Sequence, residues 1–329
     1  MSTDRWIYPL GRALGSERVS ASDLVQEFGP VRDDFLTKTG FDALYRASAD
    51  ETGLTLAQRA IGQSEAWWVQ DVDAVIYVTS TGDLIAPGNG HLLQDRLGLR
   101  PDVLVLDLND ACTGFVRALH LSDSLIASGA ASAVLVVLSD TYSKLYDESE
   151  LKVSPLFSDG ASALIVSGSQ LASAPQGAHV RRWEILSTWF VSEGGRAPEL
   201  SISRSDPVRP LGTLFMNGGG VLTFVLKHLD AAVSALSDES GVATSDVDRW
   251  YVHQGSRTVV SAAERKLGAR EGSLFRSQDY GNTVGSSLPF QIIDDASEAD
   301  RAQVVGLLAF GVGLTMAGML VRQSGSGAE

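Results

Sequence analysis

Three side chains in this 329-residue chain are of the types that nucleophilic acyl chemistry requires. Cys112, the only cysteine, stands in Leu106-Asp107-Leu108-Asn109-Asp110-Ala111-Cys112-Thr113-Gly114-Phe115. His253 stands in Trp250-Tyr251-Val252-His253-Gln254-Gly255-Ser256, and Asn282 in Asp279-Tyr280-Gly281-Asn282-Thr283-Val284-Gly285. A lone thiol serves as a nucleophile when a histidine and an asparagine or aspartate elsewhere in the chain attend it. Singly, each residue has a bland reading. Free cysteine is among the most buried types, a single histidine is more often structural, and Asn between Gly and Thr suits a turn. Their co-occurrence favours the functional reading. His91, His120, His179 and His228 stand in no motif and read as structural or surface residues.

The elements that must hold these residues follow from apolar periodicity. Val103–Leu108 reads as a strand and Gly114–Ser128 as a helix. The thiol therefore sits at a strand-to-helix junction, where the first free N–H groups favour a thiolate. Further strands are expected at Asp73–Thr79, Ala133–Leu138, Ala161–Val166, Trp183–Ser192, Arg249–Val252, Gln303–Phe310 and Leu314–Arg322. Helices are expected at 20–28, 30–37, Ala49–Gln63, Leu92–Leu97, Asn217–Glu239, Thr258–Leu267 and Leu288–Ala296. Strands alternating with helices imply parallel pairing through helical crossovers. The pattern restarts near Val180. Two similar α/β halves, 1–170 and 171–329, would then place the site between them, Cys112 from the first and His253 from the second. The stretch 194–212, with Pro198, Pro207 and Pro210, reads as a mobile surface loop, and 324–329 as a disordered tail.

Composition narrows the function classes. Apolar residues make up 44% and charged residues 20%, an ordinary globular balance. One cysteine permits no internal disulfide, which suits a cytoplasmic protein, and Cys-pair metal sites are excluded. Met1-Ser2-Thr3-Asp4-Arg5 is followed by no uninterrupted apolar stretch, so neither a signal peptide nor a membrane span is expected. A net charge of -14 argues against nucleic acid.

Asp110-Ala111-Cys112-Thr113-Gly114-Phe115, Phe157-Ser158-Asp159-Gly160-Ala161, Val252-His253-Gln254 and Tyr280-Gly281-Asn282-Thr283 fall in the order and spacing of β-ketoacyl-acyl-carrier-protein synthase III. Ala309-Phe310-Gly311-Val312-Gly313 resembles that family's closing glycine turn, and the resemblance runs from about Ile7 to Arg322. It implies an α/β thiolase fold, with duplicated βαβαβαββ halves forming a five-layered αβαβα sandwich. It implies that Cys112 takes an acyl group from a thioester, while His253 and Asn282 hold the carbonyl of a second substrate. If that substrate is a malonyl thioester, they stabilise the enolate as carbon dioxide leaves. The backbone N–H groups of Cys112 and Gly313 match the oxyanion hole for the acyl carbon. Ala86, Phe157, Phe224 and Ser256 are the substrate-binding candidates. The resemblance implies acyl carrier protein or coenzyme A thioesters as substrates, a homodimer with a sheet continuous across the interface, and no metal or organic cofactor.

Departures from the family bear on the substrate. The family's adenine-stacking Trp position holds Asp34, a nearby Arg becomes Lys38, and another Arg becomes Leu151. The HQAN motif reads His253-Gln254-Gly255-Ser256, with Arg257 arriving one position early. A carboxylate in place of an aromatic platform loses stacking and repels phosphate, so a carrier-bound donor is favoured over coenzyme A. Ala86, where the family tends to be bulky, would open the acyl pocket of the partner subunit. Head-to-head condensing branches place a Glu in that region; Asp83 is the nearest carboxylate here. Together these changes point to a secondary-metabolite branch. For an acidic carrier, Arg257, Arg265 and Lys266, with Arg204 and Arg209, are weak docking candidates. Decarboxylative condensation is the leading reading. The alternatives are an acyltransferase passing the acyl group to an alcohol, amine or carrier thiol with His253 as general base, and a non-catalytic partner subunit.

Overall fold

Continuous apolar runs such as Ala133-Val134-Leu135-Val136-Val137-Leu138 arise where a strand is buried on both faces, and such strands build the centre of this molecule. The computed structural model describes residues 4–23, 33–147, 150, 152–176, 178, 180–203, 211–270, 272–295 and 303–324, without the side chains of 33, 34 and 324. In chain order the elements are β1 (Asp4–Leu14), β2 (Glu17–Ser20), α1 (Asp33–Thr39), β3 (Ala43–Arg46), α2 (Gly53–Ile61), β4 (Ala74–Val78), α3 (Asn89–Arg96), β5 (Leu104–Leu108), α4 (Gly114–Ala127), β6 (Ala133–Asp140) and β7 (Gly160–Ser167). There follow β8 (Arg181–Ser192), β9 (Leu200–Ser203), β10 (Thr213–Met216), α5 (Gly218–Ser240), β11 (Arg249–Val252), α6 (Arg257–Leu267), α7 (Ser287–Asp294), β12 (Val304–Gly311) and β13 (Thr315–Ser324).

Nine strands run in the order β11-β12-β13-β8-β1-β7-β6-β4-β5. Pairing is antiparallel for β1/β7, β6/β7, β8/β13, β12/β13 and β1/β8, and parallel for β4/β5, β4/β6 and β11/β12. The sheet is thus mixed, and the expectation of parallel pairing holds only for three ladders. The same senses recur outward from the β1/β8 junction: antiparallel, antiparallel, then parallel.

Alternation along each strand separates the layers. In β4, Val75 and Tyr77 pack on α2 and α3, while Ala74, Ile76 and Val78 face α4. In β12, Val305 and Leu307 face the same central layer, while Leu308 and Phe310 face α5 and α6. Phe115 and Leu119 of α4 share that central core with Leu288 and Ile292 of α7. The stack is therefore α2/α3, sheet, α4/α7, sheet, α5/α6. Helix α5 is apolar enough, at a mean hydropathy of 1.3 over its best window, to cross a membrane by length and composition. Its face carrying Phe224, Val225, Leu229, Ala232 and Leu236 is buried in the C-terminal core.

Three expectations need revision. The first strand was not expected: Pro9 and Gly11 interrupt its pattern, and its ladder shifts register there. Helix α2 begins at Gly53 rather than Ala49, because Thr52 caps it in a reciprocal box with Thr55. Within 194–212, residues 194–203 form a 3-10 turn and β9, the latter paired with β10. Residues 204–210 and 325–329 lie outside the described residues, as do His179 and most of the expected helical pieces between 24 and 32.

Candidate active site

Cys112 lies in the 3-10 turn Ala111–Thr113 that opens α4, at the start of the central helical layer. Ala111 holds a φ of 40, the left-handed region that non-glycine residues avoid. Two glycines make room for the thiol's neighbourhood. A Cβ on Gly114 would lie 2.3 Å from Val78 Cγ1, and one on Gly311 would lie 2.6 Å from Cys112 Cβ and 2.9 Å from Sγ. Thr113 Oγ1 and Thr315 Oγ1, 3.1 Å apart, tie the β12–β13 turn to the nucleophile's turn. The expected thiolate is corrected by the structure. Burial pushes the Cys112 thiol up, the charge of Asp140 adds to this, and the backbone N–H at the helix start opposes it only in part. At rest the group is a thiol.

His253 follows β11 and is 3% exposed. Its Nδ1 lies 2.9 Å from Ser287 Oγ, and its ring meets Phe310 edge-on at 5.3 Å. Burial alone lowers its pKa to about 3, so the imidazole is neutral. Gln254 is a scaffold beside it. Its Nε2 donates to the carbonyls of Val252 and Leu274, and its Oε1 accepts from the Arg276 N–H. Asn282 bridges to Phe157 in a single parallel pair just ahead of α7. Its Oδ1 accepts the Val284 N–H at 2.9 Å. Val284 itself holds a φ of 54, and the bond leaves the Asn282 Nδ2 as the free donor.

All three side chains line one cavity of about 610 Å³. Phe157, Ser256, Phe310 and Gly311 share its wall, Leu156, Leu200, Met216 and Leu222 supply apolar surface, and Lys38 and Lys152 stand on its lining as exposed cations. A buried thiol and two neutral donors in a largely apolar cavity suit chemistry that builds charge on a carbonyl oxygen. Among the described residues no cluster of three or more His, Cys, Asp or Glu could hold a metal.

The remaining expected residues divide. Ser256 lines the cavity and also caps α6, its hydroxyl accepting from Val259 N–H. Phe224 is corrected: it is fully buried against His228, with Arg196 over its ring, because α5 turns Val221 and Leu222 to the cavity instead. Gly313, at a φ of 130, stands in the turn after β12 and is not among the cavity-lining residues. Ala86 lies on an exposed loop of this chain. Asp83 is tied to the start of α2 by Thr52 Oγ1, 2.6 Å away, and to Asn89 Nδ2 at 3.1 Å, and it is not among the cavity-lining residues. Of the docking candidates, Arg257 stacks on Phe275 at 4.4 Å, Lys266 pairs with Asp230 at 2.7 Å, and Arg265 is exposed. Leu151, Arg204, Arg209 and the Asp34 side chain lie outside the described residues.

Three site residues were not foreseen. Lys152 puts a cation next to the position where Leu151 had removed one. Asp140, at the end of β6, accepts from the Ser80 N–H and the Thr81 hydroxyl, and burial raises its pKa to about 7. Ser287 contacts His253. None belongs to a contiguous motif that includes a nucleophile or base.

Comparison with known proteins agrees with this geometry. The family model for 3-oxoacyl-[acyl-carrier-protein] synthase III matches residues 106–181, and the model of that family's C-terminal part matches residues 237–323. A β-ketoacyl-[acyl-carrier-protein] synthase III of Xylella fastidiosa is 30% identical over 323 residues, 93% of this chain and 94% of that protein. That of Thiobacillus denitrificans is 31% identical over 277 residues, 82% of each. The solved synthase III of Thermus thermophilus superposes with a TM-score of 0.84 at 26% identity, covering 97% of this chain and 99% of that one.

Proposed function

The chain belongs to the 3-oxoacyl-[acyl-carrier-protein] synthase III family, and from that premise we propose that it condenses an acyl group held on Cys112 with a malonyl-type thioester, releasing carbon dioxide. Membership makes it an acyltransferase of the thiolase fold. The observation that carries the finer reading is the pair of neutral donors, His253 and the Asn282 Nδ2, lining the thiol's cavity.

In the first step the Cys112 sulfur attacks the thioester carbonyl. The carbon–sulfur bond to the donor breaks, and the Cys112 proton leaves with the departing thiol. The backbone N–H of Cys112 serves the tetrahedral oxygen; the Gly313 N–H expected beside it stands off the cavity lining. In the second step the malonyl thioester loses carbon dioxide, and His253 and Asn282 stabilise the enolate oxygen. The enolate carbon then attacks the acyl carbon, the bond to Cys112 breaks, and the thiolate takes up a proton. Neutral donors suit this step, because a charged imidazolium would hold the malonyl carboxylate in place as readily as it stabilised the enolate.

The substrate reading is a carrier-bound acyl group handled in a secondary-metabolite branch. It is supported by Lys38 and Lys152 on the cavity lining, suited to a phosphopantetheine phosphate, and by Ala86 where a bulky residue would narrow an acyl pocket. The working unit is a homodimer in the cytoplasm. Residues 1–170 and 171–329 are read as duplicated halves, supported by the repeated order of strand pairing.

The test is intact-protein mass after mixing with acyl thioesters on carrier protein and on coenzyme A, with Cys112→Ala and Asn282→Asp alongside. A Cys112-dependent mass gain, discharged by a malonyl thioester with carbon dioxide release, is expected. Asn282→Asp should still acylate and fail to release carbon dioxide, since a carboxylate repels an enolate. Discharge without carbon dioxide would replace condensation by plain acyl transfer, and no labelling by any donor would leave a non-catalytic subunit.

A further inference from the structure

The Ser287 hydroxyl lies 2.9 Å from His253 Nδ1 and 2.9 Å from the backbone nitrogen of Gln254. Both residues are buried, Ser287 at 0% exposure. A backbone N–H can only donate, so the Gln254 bond fixes the Ser287 oxygen as an acceptor there. The hydroxyl has a single proton of its own. Among the described residues, the only other partner of that oxygen is His253 Nδ1.

Two arrangements are possible in principle. If Nδ1 carried the imidazole proton, it and Gln254 would both donate to Ser287, and the buried hydroxyl proton would have no acceptor. Buried donors are rarely left so. If Nδ1 carries a lone pair, the Ser287 proton goes to it and every group is satisfied. Neutral imidazole then bears its proton on Nε2. That nitrogen lies on the cavity side: a Cβ on Gly255, itself a cavity-lining residue, would stand 3.7 Å from Nε2.

We propose that Ser287 is a positioning residue that donates to His253 Nδ1 and so holds the imidazole with its proton on Nε2, as a donor to the substrate carbonyl. Its neighbours make it a rigid support. The Ser287 carbonyl accepts from Gln291 Nε2, which also donates to the Val252 carbonyl at the end of β11. Helix α7 and strand β11 are thereby tied together at Ser287 and Val252, the residue before His253. Ser287 is not among the cavity-lining residues, so its effect falls on the step that needs the donor. Its kinetic consequence rests on the condensation proposed above; the tautomer itself does not.

The test reads the tautomer first. Full-length chain labelled with 15N-histidine should show His253 with its proton on Nε2 without any substrate present. Ser287→Ala should shift that signal towards a proton on Nδ1, and Ser287→Thr should restore it. With substrates, Ser287→Ala should slow carbon dioxide release from a malonyl thioester at least about tenfold. Cys112 acylation, read by mass, should stay within a few-fold, and Ser287→Thr should recover the lost rate. A wild-type imidazole protonated on Nδ1 would overturn the proposal, and so would unchanged tautomer and decarboxylation in Ser287→Ala. Should Ser287→Ala not fold, the wild-type spectrum and the Thr variant still decide. If the wild-type chain shows the Nε2 proton but no decarboxylation, the condensation reading fails and the assignment of Ser287 stands.

Discussion

Gly311 sets the tightest limit on the nucleophile, because a Cβ there would press to 2.6 Å from Cys112 Cβ and 2.9 Å from its sulfur. No flexible side-chain end lies between them to give way. Gly311→Ala should therefore displace the thiol while leaving the nine-stranded sheet intact. Cys112 acylation, followed by mass, is expected to fall on the order of a hundredfold, as misplacement by about 1 Å does elsewhere. Wild-type acylation with an unchanged melting temperature would show that the turn has slack. At this scale Cys112, His253 and Asn282 were legible because each sits inside a contiguous motif. What those motifs hid is how the residues are held. Ser287 and Asp140 act through contacts between segments far apart in the chain, while the Val284 N–H fixes Asn282 from two residues on. Even the thiol's resting state was misread, since the helix start that favours a thiolate is outweighed by burial and by Asp140, a carboxylate twenty-eight residues on.

Helices and strands were readable where one physical signal dominated. Two-sided burial made β4, β6, β7 and β12 near-continuous apolar runs, and these appeared within a few residues of their expected bounds. The first strand failed because Pro9 and Gly11 obscure its pattern, although β1 joins both halves of the sheet. Side-chain caps mark the starts of α2, α5 and α6, and Ser256 shows a cap doubling as a cavity wall. Its hydroxyl accepts from Val259 N–H at the start of α6 while the residue lines the cavity. Ser256→Ala should cost about 1 kcal/mol of stability, the ordinary worth of such a cap. Ser256→Asp should restore the cap but place a carboxylate on the cavity wall. If Ser256 serves only the helix, both variants should acylate Cys112 like the wild type. A loss in acylation by the Asp variant, at restored melting temperature, would assign it to substrate passage as well.

Among the described residues, one edge of the sheet is poorly covered. Strand β4 is buried throughout, whereas its neighbour β5 is exposed or half-exposed along its length, with Leu104 at 40%. The loop beside it carries Leu84 and Ile85, the latter 84% exposed, and the start of α3 that follows is anchored to β5 where Asp107 accepts the Gly90 N–H. An apolar, unpaired edge of this kind invites a second strand. The hydrogen bonds say which groups would pair. The Leu104 N–H donates to Asp73 and the Leu108 carbonyl accepts from Thr79, so alternate residues from Leu104 face β4. Val105 and Asp107 therefore turn their N–H and C=O groups to the open side. Val105→Pro removes one outward donor and spares the ladder to β4. If two copies join through β5, the wild-type chain should sediment at twice 34.9 kDa and Val105→Pro at the single mass, with unchanged far-UV circular dichroism. A wild-type monomer would remove the dimer, and a Val105→Pro dimer would move its interface away from β5. The same experiment bears on the acyl pocket if the exposed Ala86 loop enters the cavity of a second copy. Monomeric Val105→Pro should then lose the chain-length preference that an Ala86→Phe variant alters in the dimer.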